Sequence, residues 1–351
     1  MIDLVSDTIT LPTRAMLETI LEAQLGDAGR LDAGGRGEDA STNRLEDLAA
    51  ALTGKEAAIF CPTGTMANTC AILACCSPGS AVLVEKRQHI LEVEKICFQE
   101  EGFRMVPVFY QIDQKGAPDL DGIKEQLDTG RIQLACVENT HNFSGGTCMP
   151  VDAMRQIKTL CAGHGVHVHL DGARLFNAAE ALGVSPKEIT ENCDSVMFCI
   201  SKGLGAPIGS LLCGNKAFIS RAVEWRKLLG GTMRQTGVAA ACGIYALENN
   251  VERLAEDREN AQYLAGRLRG LKALRVDPAP QSNILLLDLN GAGITGEQFN
   301  TLLKERGIRG YVLSPSEIRL VFHLGITRED ASYAAEQILA IDRTLSQGMF
   351  L

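Results

Sequence analysis

The feature that most constrains this fold is a succession of short apolar runs rich in β-forming residues, most of them spaced by helix-like stretches. The runs are Ala57 to Phe60, Ala81 to Glu85, Met105 to Phe109, Leu134 to Glu138, Val166 to Leu170, Ser195 to Ile200 and Ser210 to Cys213. Between them, Asn43 to Leu52 is representative: Leu45, Leu48, Ala49 and Leu52 share one helical face and Gly54 ends the pattern. Strand-helix alternation of this kind requires crossover connections, which give a mainly parallel sheet with helices on both faces. The last two runs are separated by a loop containing Lys202 instead of a helix, so one of these strands is expected to be antiparallel.

After Gly237 the pattern becomes a long helix through about Leu268. Asn283 to Leu289 and Glu317 to Phe322 then read as strands, with helices near Glu297 to Arg306 and Arg328 to Leu345. A chain of 351 residues exceeds one compact core. The expected division is an N-terminal arm and large domain over 1–248 and a small C-terminal α+β domain over 249–351. With 46% hydrophobic and 22% charged residues, and no apolar run of about 18 or more residues, neither disorder nor a membrane span is supported. A net charge of -9 without a Lys/Arg cluster argues against nucleic acid and for a small-molecule substrate. The start, Met1 to Asp7, lacks a basic segment followed by an apolar one, so a cytoplasmic protein is expected. The twelve cysteines form no Cys-x-x-Cys pair and read as reduced small hydrophobes. His167 and His169 face the same way on a strand without a third ligand nearby, so they read as core or supporting histidines and no metal is expected.

Three local features carry chemistry. Lys202 lies in Ser-Lys-Gly-Leu-Gly-Ala-Pro just after an apolar run, where a lysine can form a Schiff base with a carbonyl cofactor. Asp171 ends the alternation Val166 to Leu170 and offers a carboxylate to a pyridinium nitrogen. Cys61 to Asn68 follows the first run and opens an apolar helix, so its free N–H groups and the Thr65 hydroxyl can hold a phosphate. Taken singly these are a surface lysine, a strand-end acid and an ordinary turn. Together they supply the aldehyde, ring-nitrogen and phosphate contacts of pyridoxal 5'-phosphate.

The ordered motifs Asp3 to Thr8, Gly37-Glu38-Asp39, the Thr65 turn, Glu138 to His141, His169 to Arg174, Lys202, Met233-Arg234-Gln235 and Ile318 to Leu324 resemble the L-threonine aldolase family of fold-type I pyridoxal phosphate enzymes. The resemblance implies that Lys202 binds the cofactor aldehyde, Asp171 pairs with the pyridinium, His89 stacks on the ring, and Gly64 and Thr65 bind phosphate. It implies that Arg234 completes the phosphate site of a neighbouring subunit in a homotetramer built as a dimer of dimers. It also implies that Ser6, Arg174 and Arg319 hold the substrate carboxylate, although an arginine such as Arg174 also suits a structural ion pair. His141 matches the position that meets the substrate β-hydroxyl.

The reaction implied is retro-aldol cleavage of an L-β-hydroxy-α-amino acid to glycine and an aldehyde, with the β-hydroxyl proton passing to His141 or a water it positions. Another lyase, a racemase or an aminotransferase draws on the same cofactor, and a non-catalytic amino-acid binder would keep only the arginines. Two departures bear on specificity. Arg36 stands in Gly-Arg-Gly-Glu-Asp where the family has tyrosine, after an insertion around Leu31 to Gly34; facing the pocket it would favour a polar substrate, facing solvent it would matter little. Lys95 to Phe98 replaces a small Ala-Gly-Gly stretch beside the His89 loop.

Overall fold

A computed structural model describes residues 1–347. All seven runs become strands of one sheet: β1 (Ala57–Cys61), β2 (Ala81–Glu85), β3 (Val106–Tyr110), β4 (Ile132–Glu138), β5 (His167–Asp171), β6 (Ser195–Cys199) and β7 (Ser210–Gly214). Their order is β1-β7-β6-β5-β4-β2-β3. Only β7 runs against its neighbours, pairing antiparallel with both β1 and β6. A loop of this length returns the chain for an antiparallel pairing, whereas a parallel one needs a longer crossover.

Alternate strand residues divide between two faces. Phe60, Leu83, Val196, Phe198 and Leu211 belong to one core with Leu45, Ala49, Ile123 and Ile157 from the covering helices. Ile59, Met197 and Leu212 face the other way onto Ala67, Cys70, Ala71, Phe218 and Ala222. Helices therefore cover both sides of the sheet, which explains why its strands read as continuous apolar runs.

The long helix expected from Gly237 to about Leu268 is two helices, Gly237–Asn249 and Leu254–Arg267. Asn250 caps the first through its N–H to Ala246 O, and its side-chain amide donates to Leu204 O at 2.7 Å, tying the break to the Lys202 loop. Beyond it, β8 (Arg275–Val276), β9 (Ile284–Asp288), β10 (Tyr311–Ser314) and β11 (Glu317–Val321) form an antiparallel sheet in the order β10-β11-β9-β8. It has its own core around Leu285, Phe299, Leu320 and Ile338. The N-terminal segment joins this unit: Ile2–Asp3 pairs with Ile308–Arg309, and Leu4 is buried in the same core.

Asp39 explains why Gly37-Glu38-Asp39 carries no visible chemistry. It is fully buried and caps the Ala40–Thr53 helix, with Oδ1 accepting from Thr42 N and Oγ1, both at 2.8 Å. Its Oδ2 accepts from Gly26 N at 3.0 Å and Gly237 N at 3.1 Å, stitching the N-terminal arm to a second helix start. Asp39→Ala removes a cap and strands buried N–H donors, so chemical unfolding should show a loss on the order of 3 kcal/mol.

Candidate active site

The C-terminal ends of the parallel strands converge on one cavity of about 480 Å³, the usual position for a ligand in an open α/β sheet. Pro62 to Thr65 reach it after β1, His89 and Glu94 after β2, Glu138, Thr140 and Asn142 from the end of β4, Asp171 from β5, Cys199 from the end of β6, and Ser201 and Lys202 from the loop after it. Ser6 and Thr8 close it from the N-terminal segment, and Arg319 from β11.

At one end, Thr63 caps the Gly64–Cys75 helix by accepting Met66 N at 3.1 Å. The first N–H groups of a helix have no intrahelical acceptor, so those of Gly64 and Thr65 are free to bind an anion. Glycine is required here: a Cβ on Gly64 would lie 2.9 Å from both Cys199 Sγ and Met197 Cε. Asp171 presents a carboxylate whose Oδ1 accepts from Ala173 N at 3.1 Å and whose Oδ2 accepts from Asn68 Nδ2 at 2.9 Å. Lys202 lies half-buried at the same cavity, close enough for its charge to act on Asp7 and Cys199. An anion cradle, a fixed carboxylate and an amine in one cavity fit pyridoxal phosphate.

His89 is held by its neighbours. Its N–H donates to Glu138 Oε2 at 2.8 Å, its Nδ1 meets Glu94 Oε1 at 3.0 Å, and its ring lies within 14° of parallel to Phe143. Burial disfavours the imidazolium, but Glu94, Asp171 and Glu138 outweigh it and raise the His89 pKa. His89, Glu94 and Asp171 bring ligand atoms within 4.8 Å of one another, a spacing a cation tolerates. Asn68 Nδ2 already donates to both carboxylates, however, so the group is satisfied without an ion.

A cationic wall faces this end. Arg174 makes a bidentate pair with Asp7, Nε to Oδ2 at 2.6 Å and Nη2 to Oδ1 at 2.7 Å, and its Nη1 donates to Asn142 Oδ1 at 3.0 Å. Arg319 Nη1 donates to the same Asn142 oxygen at 2.9 Å, and its guanidinium lies 4.8 Å over the Tyr311 ring. Burial and the charge of Arg174 push Arg319 down to about 10, and its buried Nε has no partner. An incoming carboxylate would relieve both conditions. Ser6 lines the cavity too, with Oγ accepting from Thr8 N.

His141 is buried outside the cavity lining, next to the lining residues Thr140 and Asn142. Its Nε2 meets Glu85 Oε2 at 2.8 Å and its Nδ1 has no partner. Burial would lower its pKa, but Glu138 and Glu85 together raise it. Arg234 is also outside: it is exposed, paired with Asp27 at 3.0 Å, and borders an apolar recess with Ile20, Pro207, Ile208 and Val238. Arg36 makes a bidentate pair with Asp47 on a different cavity, so it does not face this chain's own pocket. Glu85 and Asn142 were missed in the sequence. A lone glutamate at a strand end and an asparagine beside a histidine carry no pattern of their own.

This sheet and cavity place the molecule among fold-type I enzymes. The chain belongs to the beta-eliminating lyase family, whose model matches residues 3–290. It is 40% identical to the low specificity L-threonine aldolase of Escherichia coli K12, over 95% of this chain and 97% of that protein. It is 38% identical to low-specificity L-threonine aldolase 1 of Arabidopsis thaliana, over 95% and 94%. Among solved structures, a putative L-allo-threonine aldolase from Listeria monocytogenes EGD-E superposes with a TM-score of 0.77 at 22% identity, covering 99% of this chain and 96% of its own.

Proposed function

We propose that this protein is a pyridoxal phosphate-dependent lyase that cleaves L-β-hydroxy-α-amino acids of the threonine and allo-threonine type to glycine and an aldehyde. The observation that carries the reading is one cavity lined by Lys202, Asp171, the Gly64–Thr65 helix start and two buried guanidiniums. Gly64 and Thr65 would hold the phosphate, Asp171 the ring nitrogen, Lys202 the aldehyde carbon, and His89 one face of the ring. When bound, the cofactor supplies the sink for the electron pair released as Cα–Cβ breaks. Arg319, Arg174 and Ser6 hold the substrate carboxylate and so fix which bond at Cα stands ready to break.

His141 Nδ1, buried without a partner between the cavity-lining residues Thr140 and Asn142 in the chain, is assigned as the eventual acceptor of the β-hydroxyl proton, directly or through a water it positions. A histidine accepts only when neutral, and its raised pKa means that the neutral form accumulates above the ordinary value of about 6.5. The profile of kcat/KM against pH should therefore rise through an inflection above that value. Glu85→Gln removes one of the charges holding the proton and should move the inflection to lower pH; an unmoved inflection removes His141 from this role.

Arg234 reads as a contribution to the phosphate site of a second copy in a homotetramer of two active-site dimers. The exposed side chains Leu11, Leu21, Ile208 and Val238 supply apolar surface for that contact. The division into 1–248 and 249–351 and a cytoplasmic location complete the reading. It is tested by incubating purified protein, loaded with pyridoxal phosphate, with L-threonine and L-allo-threonine. Glycine and acetaldehyde should appear in equal amounts, whereas 2-oxobutyrate with ammonia, or a D-amino acid, would move the function to another reaction of the same cofactor.

A further inference from the structure

The alternation Val166 to Leu170 places His167 and His169 on one face of β5, and neither has a part in the chemistry above. Both are linked to it through buried polar atoms. His167 Nε2 lies 2.8 Å from Ser195 Oγ, which lies 2.9 Å from His169 Nδ1. His169 Nε2 lies 3.1 Å from Asn68 Oδ1, and Asn68 Nδ2 donates to Asp171 Oδ2 and to Glu94 Oε1. Ser195 and His169 are fully buried and Asn68 is 1% exposed.

Donor and acceptor bookkeeping leaves this chain one orientation. Ionised carboxylates only accept, so the Asn68 NH2 faces Asp171 and Glu94, and its Oδ1 must accept from a protonated His169 Nε2. Burial pushes His169 down to about 3 and His167 to about 4, so each ring is neutral and carries one N–H. His169 Nδ1 is then a lone pair that accepts the Ser195 hydroxyl proton. Ser195 Oγ, having given its proton, accepts from His167 Nε2–H. Flipping the Asn68 amide would turn its oxygen onto two carboxylates and face its NH2 to the His169 N–H. A buried polar chain with every contact satisfied is rigid, and each bond polarises the next.

We propose that His167, Ser195, His169 and Asn68 form a one-way hydrogen-bond chain that fixes the Asp171 carboxylate for its contact with the cofactor ring nitrogen, making Asn68 and His169 positioning residues. The ring-nitrogen contact rests on the function proposed above; the orientation of the chain does not. It leaves each Asp171 oxygen with one protein donor, Ala173 N on Oδ1 and Asn68 Nδ2 on Oδ2, so the carboxylate cannot rotate without breaking both.

The test begins with long-range 1H–15N NMR of cofactor-free protein labelled at its six histidines. Two neutral rings protonated at Nε2 and silent between about pH 5 and 8 are expected, assigned by loss of one signal set in His169→Gln. An Nδ1–H tautomer, or titration of His169 in that range, overturns the chain. The second readout is pyridoxal phosphate affinity and the pH dependence of the visible band of the loaded protein. His169→Leu should weaken binding by about tenfold and shift the pH at which the band changes, and His169→Gln, which can still donate to Asn68, should restore most of both. A folded His169→Leu protein with unchanged affinity and band removes the positioning role. If wild type gives no lysine-dependent band, the proposed function fails while the tautomer result stands by itself.

Discussion

Lys202→Ala should abolish the visible band of the loaded protein and reduce threonine cleavage by roughly 10³-fold or more, with folding stability unchanged within about 0.5 kcal/mol. The expectation separates chemistry from structure because the loop holding Lys202 is built from backbone. Gly205 N donates to Lys202 O at 2.8 Å, Ala206 N to Ile200 O at 3.0 Å, and Ile200 N to Gly209 O at 3.1 Å. Gly205 takes φ +80, which a side chain would resist, so the turn is set by glycine and not by the lysine. Truncating Lys202 beyond Cβ leaves these bonds intact and removes the amine. Turnover that survives in the variant, with a retained band, would remove Lys202 as the cofactor-binding residue.

The large sheet was legible because its strands, apart from the partly exposed edge strand β3, are buried on both faces and so read as unbroken β-branched and apolar runs. The antiparallel β7 was legible for a different reason: the Lys202 loop is too short for a helical crossover. What escaped was what local pattern does not encode. The break at Asn250 interrupts a sequence rich in helix formers, and its cause is a contact with Leu204 O, distant in sequence. β10 and the Ile2–Asp3 pairing are too short to show periodicity and exist because β11 and Ile308–Arg309 offer them edges.

At the site, Gly64, Thr65, Asp171 and Lys202 announced themselves by standing at strand ends next to turn residues. The groups that hold them in place did not. Asn68 looks like any residue of an apolar helix, and its role appears only when β5 brings His169 and Asp171 against it. Glu85 at a strand end resembles a solvated charge until His141 is folded onto it. Arg174 left two readings open in sequence, and the geometry gives substance to both: it lines the cavity and is also locked to Asp7.

That lock makes the second large prediction. Asp7→Asn keeps the shape of the side chain and leaves the Arg174 guanidinium buried without its counter-charge, with an amide N–H forced against one of its own donors. Breaking one partner of a buried pair costs about 3–5 kcal/mol, far more than the net worth of the pair. The denaturant midpoint should fall accordingly. Burial alone would raise the Asp7 carboxyl, but Arg174 overrides burial and holds it well below the usual carboxylate range. Its contribution is therefore complete above the unfolded-chain value of about 3.9 and is lost as pH falls toward the depressed folded value. Wild type should lose this component in acid, and Asp7→Asn, having none to lose, should show a flatter acid limb. The same change loosens the Arg174 fork, so KM for the amino acid should rise more than kcat falls. An unchanged midpoint with the wild-type acid limb would mean that Arg174 finds its counter-charge elsewhere; Asp7, at 0% exposure, is bonded to the Nε–Nη2 edge of the guanidinium, and among the described residues no other carboxylate lies at ion-pair distance from Arg174.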